Sequence, residues 1–298
     1  MSSIDYHSNP GLKARLAARG LDSVTLLVLP AIALLVGLFV YPFLYGLWLS
    51  FNPKDGSLLG NYFKFFSDPF LYDTIGTTLK LAVPVTILNL VFAVPVAFRV
   101  RLMKNQRLLT TILVLPITLG TVLVAEGMLN YLGPQGWANR IMMLFGIISS
   151  PVKLTNNYWG VMLSLVITGF PFTFLLTLSY ISGIDPALEQ AAATLGAKAR
   201  ARFRYIFLPL LIPGLAITFC LSFVQAYSVF PSAVLLGAPA GPTRVISIAA
   251  YQAAFEEYDY SMASAIAMIM GVVQLFVVAA VLQIRNLFYR GPAGGAKG

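Results

Sequence analysis

Few side chains in this 298-residue chain have the type and spacing to do chemistry, and none of them forms a reaction centre. There is one histidine, His7, and one cysteine, Cys220, so a disulfide framework is excluded and a zinc site is not expected. Cys220 lies inside an apolar run and reads as a small packing residue. No Gly-X-X-X-X-Gly-Lys-Ser/Thr phosphate loop occurs, nor even a Gly-Lys pair, so ATP hydrolysis by that route is not expected of this chain. Paired acids, or a nucleophile beside a base, are likewise missing from the apolar runs. The chemistry left to the polar residues is recognition: one loop suited to docking a partner, and scattered polar groups inside otherwise apolar segments.

The docking candidate is the stretch 184–209, IDPALEQAAATLGAKARARFRYIFLP. Asp185 followed by Pro186 has the form of an N-cap with proline at the first helical position. Residues 187–195, including Glu189, Gln190, Ala191 and Ala192, are good helix formers, and Gly196 suits the left-handed conformation that ends a helix. A basic stretch follows (Lys198, Arg200, Arg202, Arg204), and then Ile206, Leu208 and Pro209 at the entry to the next apolar run. The spacing predicts a short helix, a glycine turn and a second helical segment. A small-residue face on the first helix lets a partner's groove approach closely. The basic residues either pair with acids on that partner or face anionic lipid headgroups. Topology alone explains the charges, but not an alanine helix, a glycine stop and a proline at these spacings.

Polar groups within apolar runs are costly in lipid and are therefore candidates for a solute pathway. Glu126 is the one acid inside such a run, with Asn130 and Tyr131 about one turn on. It either attracts a cationic solute or is a carboxylate reaching interfacial water. Gln225, Tyr227 and Ser228 either line a cavity or hydrogen-bond between helices. Thr168, Thr173 and Thr177 are expected to bond their own backbone. Glu256, Glu257 and Asp259, among Tyr251, Phe255, Tyr258 and Tyr260, form a cluster that is either a solvated loop face or a contact for a partner or cations.

The elements that must position these groups are set by composition. Hydrophobic residues make up 58% of the chain and charged residues 10%, against about 25% charged in average soluble domains. Mean hydropathy is +0.81. So apolar a chain lacks the polar residues to cover a water-soluble core, and a bilayer is the simpler solvent. Six runs, near 23–50, 74–98, 108–132, 158–182, 208–234 and 261–284, are long enough to cross it as helices. The first is too long for a signal peptide and lacks a cleavage site, so it is expected to be retained. Pro84, Pro95, Pro116, Pro171 and Pro213 fall within runs and are expected to kink them.

The net charge of +9 does not point to nucleic acid, because the basic residues sit in short loops between apolar runs. Only Lys54, Lys64, Lys80, Arg140, Lys153 and Arg244 fall on the side opposite the basic loops, which places both termini in the cytoplasm. Seven acids (Asp55, Asp68, Asp73, Glu126, Glu256, Glu257 and Asp259) fall on that opposite, outer side. Trp48, Trp137 and Trp159 fall near the expected interfaces and read as membrane anchors. The expected organisation is an all-α polytopic membrane protein. It has an N-terminal segment 1–22, a six-helix domain 23–284 holding the docking loop 183–207, and a tail 285–298.

Residues 184–209 also carry a family resemblance. The permeases of binding-protein-dependent bacterial ABC importers have a cytoplasmic Glu-Ala-Ala motif, a glycine six residues after the glutamate, and then Ile-X-Leu-Pro. Here Ala191, Ala192, Gly196, Ile206, Leu208 and Pro209 fall in register, with Gln190 at the glutamate position and Glu189 just before it. Tyr41–Pro42, Leu49–Ser50–Phe51, Asn61–Tyr62 and Asp68–Pro69 resemble the first span and external loop of such permeases. Within the family the chain looks closest to spermidine/putrescine-type permeases, to which Thr243–Arg244–Val245, Phe255 and Tyr258–Asp259–Tyr260 contribute. The resemblance implies a type I ABC-importer permease in the bacterial inner membrane, a transport subunit and not an enzyme. It implies two separate ATP-binding subunits, which hold the ATP and magnesium, a second permease subunit expected to be a different chain, and a periplasmic substrate-binding protein. The implied cargo is a small solute such as spermidine or putrescine, with sugars, phosphonates and amino-acid-like solutes as alternatives. Either Gln190, by a hydrogen bond, or Glu189 would make the ATPase contact. An ion-coupled secondary transporter is the rival mechanism; it would typically bring mid-membrane ion sites and internal repeats, and no convincing repeat is present.

Overall fold

A computed structural model describes residues 23–54 and 56–288. The segment 1–22 with His7, Lys13, Arg15 and Arg19, the loop residue Asp55, and the tail with Arg290 and Lys297 lie outside the described residues. Six helices are long and apolar enough to cross a membrane: α1 (Leu27–Ser50), α3 (Pro69–Val100), the stretch Gln106–Leu144, α6 (Tyr158–Ser182), α8 (Ala199–Tyr227) and α11, whose apolar part is Tyr260–Leu287. The stretch Gln106–Leu144 comprises α4 (Gln106–Leu132) and α5 (Trp137–Leu144). Between the spans lie α2 (Gly60–Ser67), α7 (Pro186–Thr194), α9 (Pro231–Leu236) and α10 (Ile246–Tyr251). No strand occurs among the described residues, so the all-α expectation holds.

Capping residues start these helices, and they set the start of α3 at Pro69, before the expected 74. Asp68 caps α3, its carboxylate accepting from Phe70 N–H at 2.9 Å with Pro69 in the first turn. Asn157 caps α6 by accepting from Gly160 N–H at 2.9 Å, and Asp259 accepts from Met262 N–H at 3.0 Å at the start of α11. Each cap satisfies an amide that the helix itself leaves unpaired.

The core lies between α3, α6 and α8, where small residues let backbones approach. A Cβ on Gly214 of α8 would lie 2.5 Å from the Tyr180 ring, and one on Gly169 of α6 would lie 2.6 Å from Asn89 Nδ2. Phe223, Tyr227, Leu81, Val85 and Ile246 fill one half of the interior; Phe174, Ile181, Phe207 and Leu211 fill the other. The exterior is apolar: Leu38, Phe39, Leu275 and Phe276 are each at least two-thirds exposed, the surface of a protein solvated by lipid. As expected, the α6 threonines bond their own backbone, Thr168 to Ser164 O at 2.9 Å, Thr173 to Gly169 O at 3.0 Å and Thr177 to Thr173 O at 2.7 Å. Cys220 is buried, as its apolar setting suggested.

Two expectations need correction. The fifth span was placed at 208–234, but α8 begins at Ala199 and stops at Tyr227. Ser228 and Val229 are not helical, and Pro231 opens the separate helix α9. Apolar content alone ran the two together. At its other end α8 passes through Pro209 because a π-helical turn, Phe203–Phe207, precedes it. That wider turn makes room for a residue with no N–H to donate. In α4 the irregularity falls at Gly120 (φ 75°, ψ 161°), four residues beyond Pro116, and breaks the helix partway along.

Candidate functional site

The loop 184–209 folds as its sequence requires. Asp185 accepts from Ala187 N–H at 2.8 Å, and Pro186 takes the first position of α7. At the other end Gly196 adopts φ +80°. Its N–H donates to Ala193 O at 2.9 Å, and Ala197 N–H donates to Ala192 O at 3.0 Å. These paired bonds are a Schellman motif, which consumes the last carbonyls of the helix and turns the chain. No residue of α7 is buried. Gln190 and Ala191 are exposed, and Leu195 is 88% exposed, an apolar side chain held in the open on a rigid turn.

Glu189 points the other way. Its Oε2 lies 2.7 Å from an Arg101 guanidinium nitrogen, and its Oε1 lies 3.7 Å from Arg202. Arg101, the residue that ends α3, lies in the corner formed by two perpendicular rings, with its guanidinium carbon 4.3 Å from the Phe98 centroid and 4.4 Å from that of Phe207. Thus one carboxylate joins α7 to α3 and to the first turn of α8. Sequence reasoning offered Arg202 a partner's acid or a lipid headgroup and assigned Arg101 no contact. Their pairing was not visible, because Arg101 and Glu189 are 88 positions apart. Ile206 is half-buried, Phe207 is buried, and Leu208 and Pro209 are exposed at the base of α8.

A second polar feature lies inside the bundle. A cleft of about 100 Å³ is lined by Asn89 of α3, Thr121 of α4, Thr168 of α6, Ser222, Gln225 and Ser228 of α8 and its end, and Ser232 of α9. It has room only for water-sized molecules and falls below the roughly 300 Å³ at which ligand pockets begin. The break at Gly120 adjoins Thr121, and the α8–α9 break forms another wall. Irregular backbone at membrane depth is tolerated where it faces protein or a wet cavity. The hydroxyls are largely satisfied across helices: Thr173 with Ser222 at 2.8 Å, Ser164 with Ser232 at 2.9 Å, and Ser228 accepting from Gln274 at 2.9 Å. Asn89 is 2% exposed, and its Oδ1 has no partner.

Of the residues that sequence put forward for a pathway, Gln225 and Ser228 line this cleft. Tyr227 does not; it is fully buried, its ring 5.4 Å from that of Phe223. The helical period explains the division, since positions three apart share a face and position 227 turns away from 225. Glu126, Asn130 and Tyr131 are exposed on the far half of α4, apart from the cleft, with Asn130 Nδ2 donating to Glu126 Oε1 at 3.3 Å. Sequence reasoning missed Asn89, whose one signal was an amide in an otherwise apolar stretch of α3, and missed Ser222 and Ser232.

The ends of the bundle differ in charge. Asp68, Asp73, Glu256 and Glu257 are exposed at the end opposite α7, where Lys54 and Asp259 lie 3.6 Å apart. Arg244 is buried there. It donates to Phe70 O at 2.8 Å and twice to Gln252 Oε1, and burial pulls its guanidinium below the usual arginine range. Trp48, Trp137 and Trp159 are all exposed.

Comparison with known proteins adds four findings. The family described as "Binding-protein-dependent transport system inner membrane component" matches residues 56–288. Among curated relatives, the spermidine/putrescine transport system permease protein PotB of Haemophilus influenzae is 31% identical over 212 residues, covering 68% of this chain and 74% of that protein. A probable sulfate transport system permease protein, cysT, of Prototheca wickerhamii is 27% identical, covering 71% of this chain and 82% of that protein. Among solved structures, a chain of a bacterial alginate ABC transporter, in complex with alginate pentasaccharide-bound periplasmic protein, superposes with a TM-score of 0.79 at 23% identity. It covers 94% of this chain and 99% of its own length.

Proposed function

This chain belongs to the binding-protein-dependent transport system inner membrane component family, a family of ABC-importer permeases, and on that premise we propose that it forms half of the pathway of an importer for a small cationic solute, a polyamine such as spermidine or putrescine. The exposed acids Asp68, Asp73, Glu256 and Glu257 on the side from which solute arrives support the cargo assignment as local anionic sites, set among exposed Lys54, Lys64, Lys80, Arg140 and Lys153. A polycation is drawn to such carboxylates at short range. The likeness to a spermidine/putrescine permease supports the same reading.

In the proposed assembly α7 and Gly196 face the cytoplasm and seat an ATP-binding subunit, which holds the ATP and magnesium. A second permease subunit carries another such loop for a second ATPase, and a periplasmic binding protein delivers solute to the end opposite α7. The rings and aliphatic groups exposed on α1 and α11 meet lipid and the second permease. ATP binding, by moving α7, shifts α3 and α8 and widens the cleft at Asn89, Gln225 and Ser228. Such a shift needs contacts that differ between the two states, and ATPase closure supplies them.

The likeness to sulfate permeases favours one second reading, an oxyanion cargo. The deciding experiment reconstitutes the complete importer in proteoliposomes and measures uptake of radiolabelled spermidine and sulfate. ATP-dependent spermidine uptake, unaffected by excess sulfate, is expected. Sulfate uptake without spermidine uptake would overturn the cargo assignment and leave the transport role intact.

A further inference from the structure

The geometry points to Glu189 as a positioning residue that pins the docking helix to the membrane bundle through Arg101, leaving Gln190, Ala191 and Leu195 to meet the ATPase. The inference rests on the docking role proposed for α7. Three observations carry it. Glu189 is turned inward, 26% exposed, while Gln190 beside it faces solvent. Its partner Arg101 is only 11% exposed and its guanidinium already rests against the Phe98 and Phe207 rings, so the charge is held in place by contacts that do not depend on the carboxylate. The Nε atoms of both Arg101 and Arg202 are buried without partners, so withdrawing Glu189 toward another protein would strip two arginines of their counter-charge.

The position of the clamp gives it a mechanical consequence. Arg101 ends α3, and Arg202 lies in the first turn of α8. These two helices carry Asn89 and Gln225 into the cleft. A force on α7 therefore reaches both walls of the cleft through one short ion cluster. Coupling in such a network is established by measuring it, not by its contiguity.

The test uses the complete importer in proteoliposomes, supplied with whichever of spermidine and sulfate the wild type imports. Two quantities are read: ATPase retained on purification, and solute moved per ATP hydrolysed. Glu189→Gln and Arg101→Gln are expected to retain the ATPase while solute moved per ATP falls by at least about fivefold. Leu195→Asp, on the outward surface, is expected to release the ATPase. Loss of the ATPase in Glu189→Gln but not in Arg101→Gln would make Glu189 a direct partner contact and overturn the inference, leaving the docking role standing. A wild-type ratio in Glu189→Gln would also overturn it. Retention and full coupling in Leu195→Asp would remove the docking role and the inference together. Should the neutral variants fail to fold, Arg101→Lys keeps the charge, gives up the guanidinium's contacts with both rings, and is expected to lower the ratio about twofold. An unchanged ratio there overturns the proposal.

Discussion

Two residues show how a single position sets a local outcome. Gly196 sits at φ +80° with open space where a side chain would go, so a substitution meets no clash and only backbone strain. For a β-branched residue that strain is about 1–2 kcal/mol. Gly196→Val is therefore expected to disorder the turn, reducing ATPase retention or coupling while the membrane bundle stays folded. Copurification and circular dichroism would check this, and wild-type assembly with coupled transport would contradict it. Asn89 presents the opposite case, a buried amide whose oxygen is unmatched beside a narrow polar cleft. If that group serves passing solute, Asn89→Leu removes one hydrogen bond of about 1.4 kcal/mol, or about a tenfold slower uptake, without releasing the ATPase. Unchanged uptake kinetics would place Asn89 outside the pathway. Gly196 was legible because a glycine after an alanine helix has one common use. Asn89 was not, because nothing local separates a pathway amide from one bonded between helices.

Elements were read well where the chain itself sets their ends. Asp185–Pro186 and the glycine stop fixed α7 to the residue, since caps and φ preferences act over a few positions. The fifth span was read poorly: hydropathy continues through the break after Tyr227, and only packing of α9 against α6 and α4 separates them. The π turn before Pro209 and the Gly120 break were equally silent, because each answers a tertiary demand. The α6–α8 contact carries its own prediction. Gly214→Val would drive a side chain into the Tyr180 ring, whose Cγ is 2.5 Å from the site of a Cβ. Overpacking of this kind costs about 1–3 kcal/mol. A lower melting temperature in detergent is expected, and an unchanged one would mean the ring moves aside freely.

Across the whole molecule, the two ends differ in charge. Arg99, Arg101, Lys198, Arg200, Arg202 and Arg204 share the end that presents α7, while at the other end exposed acids and lysines are mixed. The positive-inside rule then orients the chain. In cells, a cysteine at Leu195 should react with a thiol reagent only after the inner membrane is made permeable, and one at Glu257 should react without it; the reverse pattern would invert the topology. The family and the all-α fold were legible in composition, span count and the loop 184–209. The cargo was not, since the polar groups lining the cleft are neutral amides and hydroxyls, which do not single out one solute. The most direct test of the central claim is uptake into proteoliposomes with the ATPase subunits present or omitted. The account predicts transport only with those subunits, the binding protein and ATP. Uptake by this chain alone, driven by an ion gradient, would contradict it.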